Sequence, residues 1–284
     1  PADGGWLWTA APDQADVSAS ITAPRDATLV VGSDVFPAPH PESVQVESRG
    51  VRTFALIALP DASVTTAEAG GTAITFVAPQ ALREQRLAVG PVAPELFRDA
   101  VRRAIDHRPP TLASPPTLTV VQVPLRWNLT TPSDGIVVVS DRAMRVHELL
   151  RPFHEAQVAQ AVYAELLRRE IRACPTMQPR WVSDGVAWEL AERDLDSIDP
   201  GHRTVHDWID WFGLFAIVDR FETAPKVPFV QAFFPNAQSD DDLRESVFTY
   251  SGRRPPPRLV FARLERSLGA EDLAHAVDAQ LVAP

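Results

Sequence analysis

Apolar and polar positions alternate through the first third of the chain. Val17, Ala19 and Ile21 are interleaved with Asp16, Ser18, Ser20 and Thr22, the period-two pattern of a half-buried strand. Further apolar runs at 28–35, 43–47, 51–59, 73–77 and 86–89 are separated by Gly, Pro, Asp and Ser, which predicts short strands joined by tight turns. Such closely spaced strands suit an antiparallel sandwich, or part of one.

After residue 90 the period changes. Leu96, Phe97, Ala100, Val101, Ala104 and Ile105 recur at helical spacing between Pro94 and the breaker Pro109-Pro110, so a helix opens the second part of the chain. Two Val-rich runs, 117–123 and 135–140, read as buried strands. From Asp141 onward the pattern is mostly helical, with Pro-bearing interruptions at 174–179, 200, 225–228, 235 and 255–257. The expected fold class is α+β in two domains: an antiparallel β-sandwich portion over 1–90, then a small sheet and a mostly helical domain over 91–284.

Composition narrows the function classes. With 284 residues, 45% hydrophobic and 23% charged, the chain can bury a core as globular proteins do. Its net charge of -10 repels a phosphate backbone, and the pairs Arg102/Arg103, Arg168/Arg169 and Arg253/Arg254 read as solvated helix faces, so no nucleic-acid partner is expected. Cys174 is the one cysteine, which excludes an intrachain disulfide and a tetrathiolate zinc site. The best apolar run, 211–218, is too short for a membrane helix. There is no P-loop, no G-x-G-x-x-G and no G-x-S-x-G elbow, so neither nucleotide binding nor a serine nucleophile is expected.

One segment carries candidate chemistry. In Arg151-Pro152-Phe153-His154-Glu155-Ala156-Gln157-Val158, a His-Glu pair opens what would be H-E-x-x-H, the helical spacing that sets two imidazoles on one face to share Zn²⁺, with the Glu as general base. The fifth position is Val158, which has no lone pair to give. His147-Glu148 lies seven residues earlier, about 10 Å away along a helix, too far to share the same ion directly. His202 and His206 have the i, i+4 spacing of a metal pair with Asp207 beside them, but no general-base Glu. Trp208, Trp211, Phe212 and Phe215 recur at helical spacing and read as core.

Downstream stand Trp181-Val182-Ser183-Asp184-Gly185-Val186-Ala187-Trp188-Glu189-Leu190, then Val247-Phe248-Thr249-Tyr250-Ser251-Gly252, then 264–273 with Leu268-Gly269. In this order the segments resemble the gluzincin metallopeptidases of the membrane alanyl aminopeptidase (aminopeptidase N) family. The resemblance extends to Gly5-Trp6-Leu7-Trp8 and 15–34, similar to the end of that family's N-terminal β domain, and to 91–123, similar to the start of its catalytic domain. It implies a thermolysin-like (zincin) fold for 91–284. It also implies His154 as first zinc ligand, Glu155 as general base, Asp184 as third ligand and Tyr250 as the group that stabilises the tetrahedral intermediate.

The chain departs from the family at several places. Val158 stands at the second ligand, Asp184 is one methylene shorter than the family's Glu, and the spacer 159–183 is two helical turns longer. The family's edge strand carries a Glu that anchors the substrate's amino terminus, and Asn128-Leu129-Thr130-Thr131-Pro132 has none.

A catalytic zinc needs three protein ligands and an open position for water. The expectation is therefore an inactive peptidase-like domain without a cofactor, serving as a binding or structural module. Its expected partner is a protein or peptide in a larger, membrane-associated assembly, and the exported setting rests on the resemblance alone. The alternative is a zinc metallopeptidase with a rearranged site, in which His147, His202 or His206 supplies the missing nitrogen. A third reading, a β-plus-helix interaction domain without peptidase ancestry, predicts no cleft joining His154, Asp184 and Tyr250.

Overall fold

The computed structural model describes residues 5–9, 15–51, 53–79, 93–123, 130–133, 135–140, 151–173, 180–201 and 257–282. The chain is α+β. Among the described residues, eight strands come first: β1 Gly5–Thr9, β2 Ala15–Thr22, β3 Ala27–Val31, β4 Asp34–Phe36, β5 Ser43–Val51, β6 Thr53–Pro60, β7 Ala62–Ala69 and β8 Thr72–Pro79. Helix α1 Ala93–Asp106 precedes β9 Thr117–Val123, β10 Thr130–Ser133 and β11 Ile136–Ser140. Helices α2 Arg151–Ala173, α3 Arg180–Asp196, α4 Pro257–Leu268 and α5 Ala270–Val282 follow.

Three sheets form. β2 and β5 make an antiparallel ribbon, and β1-β6-β3-β4 an antiparallel four-stranded sheet. The third is a mixed five-stranded sheet in the order β10-β11-β9-β8-β7, in which β8, β9 and β11 are parallel and the edge strands β7 and β10 are antiparallel. The run expected as one strand at 28–35 is a hairpin. Gly32, with φ at 55°, breaks it between β3 and β4, a backbone conformation that glycine adopts without a Cβ clash.

Strand alternation stacks these sheets into layers. On β3, Leu29 and Val31 join Val44 and Val46 of β5 and Phe54 of β6, under the ribbon. The opposite side of the four-stranded sheet, Val30, Ala55, Ile57 and Leu59, packs on Val121, Val123, Ile136 and Val138 of the mixed sheet. The remaining face of the mixed sheet, with Leu118, Val120, Val137 and Val139, is covered by the helices. Successive residues of a strand point to opposite faces, so a strand buried at consecutive positions must be covered on both. β9 is Thr-Leu-Thr-Val-Val-Gln-Val and is buried from Leu118 to Val123. A hydrogen bond from the Thr119 hydroxyl to the Ser33 carbonyl, 2.7 Å, fastens the β3–β4 turn to the mixed sheet.

The mixed sheet takes strands from both sides of residue 90, because β8 pairs in parallel with β9 from Ala73↔Thr117 to Val77↔Val121. A parallel pair needs a crossover connection, here the one containing α1. The change of period after residue 90 thus marks a crossover within one hydrogen-bonded sheet.

Candidate functional site

Helix α2 carries the His-Glu pair in its first turn. Pro152 is compatible with that turn, where backbone N–H groups have no intrahelical acceptor. The following turns are buried from Val158 to Leu167 apart from Gln160, which is partly exposed. His154 is the fourth residue of this helix. Val158, at the position of the second imidazole, is 3% exposed and belongs to the core shared by the helices and the mixed sheet. Its isopropyl group packs and cannot ligate, so the residues here do not fit the family's zinc ion.

Glu155 faces α1. Its Oε2 accepts a hydrogen bond from Nη2 of Arg103 at 2.9 Å, and Nε of the same guanidinium donates to Oδ2 of Asp194 on α3 at 3.0 Å. Asp194 Oδ1 lies 2.7 Å from Nδ1 of His107, just beyond the end of α1. The Asp194 carboxylate is wholly buried, while Glu155 and Arg103 keep 12% and 17% of their side-chain exposure. Burying carboxylates is costly unless each is paired and hydrogen-bonded, and Arg103 meets that need for two helices at once. It stands in the last turn of α1, where a cation also suits the helix dipole. Tyr163 is buried near this cluster. Its phenol is pushed far above the usual range, first by burial and then by the Asp194 charge, with Arg103 opposing.

A second tie fixes α2 to the sheet. Glu165 has no exposed side-chain surface, and its Oε1 accepts from the Gly135 N–H at 2.7 Å and from Arg169 Nε at 3.1 Å. Arg169 Nη2 in turn donates to the Thr117 carbonyl at 3.2 Å. The starts of β9 and β11 are thereby pinned to α2.

Asp184 lies in the first turns of α3, and its backbone carbonyl accepts a bond from Gln160 Nε2 at 3.4 Å. Trp188 and Leu195, one and three turns further along the same stripe of α3, close on Ala156. So the Asp184 stripe rests on the side of α2 that carries Ala156 and Gln160. With 3.6 residues per turn, Val158 points about 160° away from Gln160. The structure therefore brings Asp184 alongside α2 but does not bring it to the face of Val158. Gly185, next to Asp184, lets α4 approach closely, since a Cβ there would overlap the Phe261 ring.

The other candidates divide between strand and chain outside the described part. Residues 130–132 fall in β10, the antiparallel edge of the mixed sheet. Tyr250 lies outside the described residues, as do His147, His202, His206, Cys174 and the aromatic group 208–215. Among the described residues, no three His, Cys, Asp or Glu side chains converge as a metal-ligand group.

The residues that organise this region, Arg103, His107, Asp194, Tyr163 and Glu165, carry no short motif. Two of the arginines expected on solvated faces turn inward instead. Arg102 stays at the surface beside Asp99 at 3.6 Å, 46% exposed, whereas Arg103 and Arg169 find buried carboxylates. Adjacent helix positions differ by about 100°, so one member of an Arg pair can face solvent while the other faces the interior. Comparison with protein-family models and with curated proteins finds no match to this chain.

Proposed function

We propose that this chain is a metallopeptidase-like domain without a working metal site, serving as a binding or structural module for a protein or peptide partner in a larger, membrane-associated assembly. The thermolysin-like reading draws support from the order of elements: a mixed sheet with an antiparallel edge strand β10 leads into α2 and α3, which bear positions 154–155 and 184.

The observation that carries the inactive reading is the ion pair of Glu155 with Arg103 at 2.9 Å. A general base must reach the water it deprotonates, within hydrogen-bond distance of a reacting site. Glu155 is instead held against α1 by a guanidinium that is itself anchored on Asp194, so its carboxylate serves helix packing. Val158 in the core supplies the other half of the argument, because a zinc ion with fewer than three protein ligands lacks the affinity and geometry to activate water.

The test is turnover of aminoacyl arylamides and short peptides by the purified chain, with and without added zinc, beside Glu155→Gln. The expected outcome is no turnover by either, with a lowered melting temperature in Glu155→Gln. Zinc-dependent hydrolysis that disappears in Glu155→Gln while the fold persists would overturn the reading in favour of the rearranged peptidase.

A further inference from the structure

No further inference is drawn: the strongest candidate, the cluster of Arg103, His107, Glu155 and Asp194 between α1, α2 and α3, belongs to the site already described, where its charges serve the interhelical pairing.

Discussion

Arg103 binds Glu155 at 2.9 Å, and the same guanidinium reaches Asp194 at 3.0 Å, so one side chain on α1 joins α2 to α3. The carboxylate that the His-Glu dipeptide suggests as a base is part of an interhelical tie. Removing Arg103 would take away the guanidinium that pairs with the fully buried Asp194 carboxylate, which also meets the His107 ring at 2.7 Å. Arg103→Met is expected to destabilise the chain by about 3–5 kcal/mol, the cost of breaking a buried ion pair from one side. Urea unfolding followed by circular dichroism reads it as a lower midpoint. Adding Asp194→Leu to that variant is expected to recover part of the loss, because the uncompensated charge goes with it. A change within about 0.5 kcal/mol, the size of an ordinary surface substitution, would show that the tie is not needed.

Gly185 gives a prediction with a diagnostic sign. In an open helix, Gly→Ala stabilises by roughly 1 kcal/mol. Here the added methyl meets the Phe261 ring, so Gly185→Ala is expected to destabilise by about 1–3 kcal/mol through overpacking. Phe261→Leu in the same chain should relieve part of that loss. A stabilised Gly185→Ala would contradict the close packing of α3 on α4.

Tyr163 sets an alkaline limit. Its phenol is held protonated by burial and by Asp194, so above the ordinary phenol value of about 10 the unfolded chain loses a proton that the folded chain keeps. Stability must therefore fall as pH rises past that value, and the contribution is intact below it. The expected result is a steeper loss of melting temperature above pH 10 in the wild type than in Tyr163→Phe. Equal slopes for the two would contradict the assignment.

The facing of α2 and α3 makes restoration of a metal site difficult. Val158→His places an imidazole in the apolar core and is expected to cost roughly 1–3 kcal/mol. Combining it with Asp184→Glu is expected to yield no zinc binding, because the Asp184 stripe of α3 packs against Ala156 and Gln160 and not against the face of Val158. Isothermal titration with zinc checks this, and a stoichiometric binding isotherm for the double variant would refute the proposed facing.

Much of the fold was legible in the hydrophobic pattern. The run 117–123 is β9 residue for residue, and the helical spacing of Leu96 to Ile105 is α1. Those elements are strongly patterned because a buried face imposes its period. β7 is not legible in the pattern because Ala-Ser-Val-Thr-Thr-Ala-Glu-Ala shows no clean alternation: it is an edge strand, partly covered, and weakly constrained by burial. The placement of β7 and β8 in the mixed sheet was hidden too, since strand pairing across a crossover is long-range information. The candidate site was legible only as far as His154, Glu155 and Val158. The side chains of Arg103 and Asp194 lie 52 to 91 residues from the partners they bind, and Glu165 lies 30 residues from Gly135; nothing local in the chain distinguishes an inward-facing Arg103 from its exposed neighbour Arg102.

The most direct measurement is the zinc content of the purified chain, by elemental analysis after exchange into metal-free buffer, compared with His154→Ala. If Glu155 serves packing and Val158 vacates the second ligand, zinc should be far below one atom per chain in both proteins. About one zinc per wild-type chain, lost in a folded His154→Ala variant, would contradict that claim.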